Sequence, residues 1–229
     1  MDITTAIDQR HSCRSYGDRP IEGEVLEQLL DGIRMANEES GLHMQLVTGE
    51  PKVFANFRKN YGLFRNVRNY IAMVGSRNPG SGKTVGYYGE DIVLLATRLG
   101  LGTCWVGATF ERSVCRCVVE ADERLYCVIA VGYEAKRKTL AARIASAAMN
   151  RKGKRLEDLC RTDRDMPDWF RNGVEAARKA PSAVNRQPVT FILDGNMVRV
   201  EVQDGPYADI ELGIAKKHFE LGAGCRPWA

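Results

Sequence analysis

The sequence lacks the features that mark membrane, secreted and nucleic-acid-binding proteins. No apolar run approaches the roughly 18 residues that a membrane-spanning helix needs. The opening stretch, MDITT, contains neither the basic nor the apolar region of a secretory leader, so we expect a cytoplasmic protein without a membrane partner. The net charge of +4 on 229 residues is too small to indicate a nucleic-acid partner.

Evenly paired cysteines and clusters of metal ligands are missing as well. The seven cysteines are an odd number at irregular spacings, which favours reduced thiols. Cys115 and Cys117 form a C-x-C motif without a second pair or a nearby histidine, so we expect no metal site. His11 and His218 lack partners at ligand spacing and are predicted to serve packing or surface roles, while Cys104 is predicted to be a small buried thiol.

What the chain does have is the composition of an ordinary globular protein. Hydrophobic residues make up 44% and charged residues 27%, so a substantial core can be buried. The first 35 residues predict two helices joined by a polar connection. Further along, strands are predicted at 44–48, 70–76, 125–133, 189–193 and 197–202, and helices at 87–102, 167–179 and 207–224. The last two strands flank Asp194-Gly195 and are predicted to form a hairpin.

Two segments of the chain resemble each other, which indicates an internal duplication. YYGEDIVLLATRLGLGTCW and PYADIELGIAKKHFELGAGCRPW both run from tyrosine through an acidic helix start to Leu-Gly, cysteine and tryptophan. Between them lies a basic stretch, 136–155, with eight Lys or Arg and no acidic residue. We therefore divide the chain into an N-terminal half (1–135), a basic connecting segment (136–160) and a C-terminal half (161–229).

The stretch RNPGSGKTV, residues 77–85, resembles the end of a phosphate-binding P-loop but lacks the first glycine of that motif. Counting back from Gly82, the required position holds Arg77. We expect the next helix to begin only after Gly86, which would leave Lys83 in a flexible strand-to-helix loop. A P-loop nucleotide hydrolase is therefore the less favoured interpretation.

The first stretch with a chemical signature is RHSCRSY. Arg10, Ser12 and Arg14 alternate, so in an extended segment their side chains lie on one side. Two guanidinium groups and a hydroxyl on one side suit a phosphate group, since charge-assisted hydrogen bonds contribute roughly 1.5–3 kcal/mol each. The alternative is a solvated polar connection between two helices.

The second such stretch is APSAVNRQPV, residues 180–189. Its two prolines fix the backbone at both ends, while Ser182, Asn185 and Gln187 offer donors and acceptors. A stiff polar loop between a helix and a buried strand suits recognition of a planar heteroaromatic group. The alternative is a loop that ends the helix and whose polar side chains bind only the local backbone.

Together these stretches resemble the signatures of the FMN-dependent nitroreductase and flavin reductase family. RHSCRSYGDRPI, GEDIVLLATRLGLGTCWVGA and EAARKAPSAVNRQPVTFIL carry the resemblance, and they are spread over most of the chain. The resemblance implies an α+β fold with antiparallel sheets between helical layers. It also implies FMN as the cofactor, NADH or NADPH as the reductant and a small-molecule electron acceptor as the substrate.

The order of the motifs departs from that of ordinary family members, in which APSxxNxQP follows RxSxR after one helix. Here that place holds IRMANEESGLHMQL, and the second motif lies 170 residues after the first. In the family homodimer, one subunit supplies the first motif and its partner the second. The resemblance therefore implies that two intertwined, pseudo-symmetric halves imitate two subunits and build one flavin site per chain, whether the protein is a monomer or a homodimer.

The resemblance also assigns roles to single residues. Arg10 and Ser12 would hold the FMN phosphate, and Arg14 the ribityl chain or the pyrimidine side of the flavin. His11 lies inside the same motif and is expected to touch the cofactor. No catalytic side chain is expected, because the flavin carries the chemistry and the protein supplies position and electrostatics.

The remaining cofactor contacts are expected from three later segments. The loop TCWVGA at 103–108 would approach the flavin ring by its backbone, and either Lys152 or Lys154 would contact the phosphate. A solvated basic linker is an equal alternative for these two lysines. The other residues expected at the cofactor are Trp105, Gly107, Ala108, Pro181, Ser182, Ala183 and Asn185.

Two functions fit these expectations. The first is an FMN-dependent oxidoreductase of the nitroreductase type, which transfers a hydride from NAD(P)H through FMN to a small organic acceptor. The alternative is a flavin-binding sensor or carrier without efficient turnover. Both need the same cofactor site, so the site residues do not separate them.

Overall fold

The computed structural model describes residues 1–56, 63–136 and 153–229, which form an α+β fold. The helices in these ranges are α1 (Ile3–Gln9), α2 (Gly23–Ser40), α3 (Ser81–Arg98), α4 (Asp168–Arg178) and α5 (Ala208–Ala223). The strands are β1 (Gln45–Val47), β2 (Tyr70–Ser76), β3 (Gly102–Val106), β4 (Glu123–Gly132), β5 (Cys160–Arg161), β6 (Val189–Asp194) and β7 (Met197–Val202). Short 3₁₀ turns lie at Pro51–Phe54, Arg112–Val114, Leu156–Asp158 and Ala183–Asn185.

The larger sheet has four antiparallel strands in the order β1-β2-β4-β3. β2 is buried on both faces, as its nearly unbroken apolar sequence predicts. Alternate residues of β2 enter different cores: Ile71 and Met73 pack with residues of α2 and α3, whereas Tyr70 and Ala72 join a second core that includes Phe54. The sheet therefore lies between two apolar layers.

The smaller sheet has the order β5-β6-β7 and comes from the last third of the chain. β6 and β7 form the predicted antiparallel hairpin around Asp194 and Gly195, whose φ of 58° suits a tight turn. β5 pairs with β6 in the parallel direction, so this sheet is mixed. The expectation of antiparallel sheets is therefore confirmed for the whole of the larger sheet. In the smaller sheet it is confirmed for the β6–β7 hairpin but not for β5.

Helices α3 and α5 cross closely because glycine stands at the contact on both. A Cβ atom on Gly86 would overlap the Ile210 carbonyl oxygen, and one on Gly213 would overlap the Lys83 carbonyl oxygen. α3 begins at Ser81, so the prediction that the helix starts after Gly86 is wrong. Glycine lowers local helix propensity, but the close packing against α5 stabilises the extra turn. Lys83 thus lies on the first turn of α3, not in a loop.

The two halves are intertwined, because α5 from the end of the chain packs into the core of the first half. Ile210 and Ile214 of α5 join the cluster that holds Ile92 of α3 and Ile129 of β4. The boundary of the basic connecting segment at 136–160 remains a prediction, since residues 137–152 lie outside the described ranges. Among the described helices, none combines the length and the apolar character required to cross a membrane.

Candidate functional site

The segment RHSCRSY runs extended along the outer edge of β3. Ser12 bridges Thr103 in the parallel direction, and the Cys13 amide donates to the Thr103 carbonyl over 2.8 Å. Cys13 is buried in the core, whereas its neighbours on either side face away from it. As the alternation predicts, Arg10, Ser12 and Arg14 all line one cavity.

The loop after α4 contains three residues other than glycine with left-handed backbone: Val184 (φ 47°), Asn185 (φ 53°) and Gln187 (φ 47°). For a β-branched residue such as valine this conformation is strained, at on the order of 1–3 kcal/mol. Hydrogen bonds hold the loop in place. The Gln187 amide donates to Ser182 Oγ over 2.9 Å, and Gln187 Nε2 donates to the Arg178 carbonyl over 2.6 Å. Strain that is held in this way is typical of ligand-binding segments.

These two segments, far apart in sequence, line the same cleft. The cleft consists of two adjoining cavities of about 230 Å³ and about 360 Å³. Residues from both segments line both cavities: Ser12, Arg14, Pro181, Ser182 and Val184. The beginning and the final quarter of the chain therefore meet at one site.

The larger cavity is basic. Arg10 Nη2 donates to the Lys179 carbonyl over 3.3 Å, but the enclosed Nε of Arg10 has no partner among the described residues. Burial lowers the pKa of Arg10, and the negative charge of Glu90 opposes that shift. His11 lines the same cavity and bonds Glu134 over 3.1 Å. An enclosed guanidinium N–H without an acceptor suits an anionic ligand.

The smaller cavity is mainly apolar. Its walls include the end of β3 and the bend that follows it, together with Ile210 and Ile214 of α5. The prediction of a loop at 103–108 is wrong for 103–106, which form most of β3 and pair with β4, with Trp105 opposite Ile129. Strand pairing at this edge depends on a partner more than 20 residues away, which a local pattern does not reveal.

A tyrosine from the C-terminal half packs directly on the bend after β3. A Cβ atom on Gly107 would overlap the ring of Tyr207, so a larger residue here would have to displace that ring. Tyr207 immediately precedes α5 and lines the apolar cavity. The two halves thus contribute facing walls to this cavity as well as to the basic one.

The arrangement is that of a known family. The family model described as "Putative TM nitroreductase" matches residues 2–223 of the chain. The chain belongs to this nitroreductase family. Among proteins with curated descriptions, none matches it.

Solved structures from other organisms are similar to this nitroreductase-family protein, and the first of them shows the same fold. A crystal structure of a "putative nitroreductase" from Thermotoga maritima is 21% identical, covers 97% of this chain and 83% of its own, and has a TM-score of 0.62. A Bacteroides fragilis nitroreductase with bound FMN is 19% identical, covers 61% of this chain and 92% of its own, and has a TM-score of 0.47. An FMN-dependent nitroreductase from Clostridium difficile R20291 is 20% identical over 58% of this chain and 88% of its own, with a TM-score of 0.45.

The cleft contains most of the residues that the sequence predicts for the site. They are Arg10, His11, Ser12, Arg14, Trp105, Gly107, Ala108, Pro181, Ser182, Ala183 and Asn185. Lys152 lies outside the described residues. Lys154 does not line the cleft: its Nζ donates to the Gln187 carbonyl over 2.8 Å, and its amide donates to Gln187 Oε1 over 2.6 Å. A phosphate contact from either lysine stays a prediction.

The sequence analysis missed the contribution of α5 to the cleft. Tyr207, Ile210, Glu211 and Ile214 all line the apolar cavity. The available signal was the tyrosine near the start of both repeated segments. That signal does not predict which residues Tyr207 contacts, because the cavity lies where α5 meets the bend after β3, about 100 residues earlier in the chain.

A buried hydrogen-bond network supports the wall of the cleft from behind. His218 Nδ1 lies 3.1 Å from the Ala176 carbonyl, so this nitrogen donates, and His218 Nε2 forms a hydrogen bond with Glu90 Oε1 over 2.9 Å. Trp105 Nε1 donates to the other oxygen of Glu90 over 2.8 Å. The predicted packing role of His218 is confirmed, but its acidic partner lies 128 residues away in the chain.

Proposed function

We propose that this nitroreductase-family protein binds one FMN per chain and is an oxidoreductase that passes electrons from NADH or NADPH to a small organic acceptor. The observation that carries the proposal is the shared cleft. Arg10, Ser12 and Arg14 line it from one end of the chain, and Pro181 and Ser182 from the other. One chain therefore assembles both half-sites, which supports one cofactor per chain.

The residues of the cleft suit the parts of FMN. The basic cavity, with the unpartnered Nε of Arg10, suits the phosphate, and the apolar cavity suits the flat ring system. When bound, FMN supplies the hydride chemistry.

In this scheme the side chains of the protein bind the cofactor and position it. Arg14 lines both cavities and would place positive charge at their junction. Glu211 is already engaged, because it accepts from the Ala183 amide over 2.9 Å and from Arg186 over 2.8 Å. Burial raises the pKa of the Cys104 thiol, with the charges of Arg14 and Arg10 opposing the shift, so the thiol stays neutral.

The proposed function is tested by titrating the purified protein with FMN and then adding NADH or NADPH without oxygen. We expect saturation at about one FMN per chain and loss of the visible flavin absorbance with at least one nicotinamide. Two flavins per chain would contradict the single site. Tight FMN binding without reduction by either nicotinamide would instead favour a sensor or carrier.

Replacing Arg10 with alanine is expected to weaken FMN binding by about 10- to 150-fold, because one charged donor to the phosphate contributes roughly 1.5–3 kcal/mol. The dissociation constant is measured by the change in flavin fluorescence on binding. Arg19→Ala is the matched control: Arg19 lies outside the residues that line the cleft and stacks on Tyr133. Equal losses of FMN affinity and of unfolding free energy in Arg10→Ala would contradict the assignment.

A further inference from the structure

We propose that the Tyr207 hydroxyl donates a hydrogen bond to an oxygen atom of the electron acceptor, and so orients the acceptor beside the flavin ring in the apolar cavity. The proposal rests on the proposed function, and it adds a residue that neither sequence motif contains. Tyr207 acts here as a hydrogen-bond donor to the bound molecule. No bond to Tyr207 forms or breaks in this role.

The position of the phenol is set by the fold. Tyr207 immediately precedes α5, and its ring packs against the Cα of Gly107 on the bend after β3. The ring therefore lies between the start of α5 and the bend after β3, and both α5 and β3 contribute residues to the core. A side chain fixed in this way can impose a direction on a ligand at little entropic cost.

The hydroxyl group of Tyr207 is available to a ligand. It makes no hydrogen bond to any residue in the described ranges, although the half-buried residue lines the cavity. Phenol O–H groups usually have a hydrogen-bond partner when they are buried. A molecule that enters the cavity and displaces water must therefore accept a hydrogen bond from this donor, or it binds more weakly because the donor is left unpaired.

Glu211 and Cys104, which also line this cavity, are less suited to the role. Glu211 is held by Arg186 and the Ala183 amide, and Cys104 is a neutral thiol, which is a weak donor. Ser12 and Ser182 line the basic cavity as well as the apolar one, so these two residues lie at the junction of the two cavities.

The surrounding surface selects for an apolar body with an oxygen at one end. The cavity lining includes Phe64, Trp105, Val106, Ile210 and Ile214. A flat molecule whose oxygen reaches Tyr207 would bury its apolar part against these side chains.

The test compares the FMN-loaded protein with the Tyr207→Phe variant, using acetophenone and ethylbenzene as unreactive probes of similar shape. Binding is followed by the change in the flavin absorption spectrum. We expect acetophenone to bind about three- to tenfold more weakly to the variant, because one neutral hydrogen bond is lost, and ethylbenzene to bind equally well. Tyr88→Phe is the matched control, since the hydroxyl of Tyr88 on α3 donates to Glu39 on α2 and Tyr88 is not among the residues that line the cleft.

Two further measurements separate the outcomes. The FMN dissociation constant should be the same with and without the Tyr207 hydroxyl, and the rate of flavin reduction by the nicotinamide should be unchanged in the Tyr88→Phe control. The proposal would be overturned if Tyr207→Phe changed the affinities for acetophenone and ethylbenzene equally, or changed neither of them. A loss of FMN affinity in Tyr207→Phe would overturn it as well. If the unaltered protein bound no FMN, the proposed function would fail, and this inference would fail with it.

Discussion

Replacing Gly213 with alanine is expected to prevent α5 from docking on α3, and to lower the free energy of unfolding by on the order of 4–5 kcal/mol. The added Cβ would overlap the Lys83 carbonyl oxygen and lie 2.7 Å from the Tyr87 amide nitrogen. Both are backbone atoms of a helix, which cannot move aside as a side chain can. The helices would have to separate, and the walls of the cleft that belong to α5 would separate with them.

The matched control for this prediction is Gly32→Ala in α2. There the added Cβ would overlap only the end of the Leu95 side chain, which can change rotamer. Alanine also raises helix propensity by about 1 kcal/mol, so we expect little net loss. Soluble yield and urea unfolding compare the two variants. If Gly213→Ala unfolded at the same urea concentration as Gly32→Ala, the close crossing of the helices would be disproved.

Replacing His218 with leucine is expected to lower the free energy of unfolding by about 3–5 kcal/mol, since breaking a buried pair leaves an uncompensated polar group. His218 and Glu90 side chains are both 0% exposed, and no other described ion pair is so completely enclosed. After the substitution, Trp105 remains the only side chain that bonds the Glu90 carboxyl group among the described residues. Urea unfolding followed by tryptophan fluorescence measures the loss.

A second histidine–glutamate pair provides the control for this prediction. His43 lies 3.0 Å from Glu123, a distance close to that of the buried pair, but the two side chains are 36% and 14% exposed. Water can replace the lost partner there, so His43→Leu is expected to cost no more than about 1 kcal/mol. The double variant Glu90→Leu with His218→Leu should recover part of the loss. Similar losses in the two single variants would show that burial does not strengthen the Glu90–His218 pair.

Elements that depend on local pattern were predicted well. The strands at 70–76 and 197–202 have the predicted bounds, and α4 differs from its prediction by one residue at each end. In these segments the apolar period and the flanking turn residues indicate the same structure as the tertiary contacts do.

The errors lie where a distant partner overrides local preference. α3 starts at Ser81 because Gly82 and Gly86 face α5: a Cβ on Gly82 would lie 2.8 Å from Asp209 Cβ. Glycine ends helices in isolation, but at a close crossing it is the residue that fits. The sequence predicts a loop at 103–108, and it misses the edge strand at 103–106 because the pairing of that strand with β4 and with the segment at Ser12 is non-local.

The sequence by itself determined the chemical groups of the site: two motifs with guanidinium, hydroxyl and amide groups, and a resemblance that the family match over residues 2–223 confirms. The resemblance also implied that the two motifs build one site, and in the structure both line one cleft. Only the tertiary structure decided that Tyr207 covers Gly107 and that His218 pairs with Glu90. Local motifs depend on the backbone dihedral angles and side-chain chemistry of neighbouring residues. Contacts between residues more than 100 positions apart depend instead on how helices and sheets pack, and that packing is a property of the whole chain.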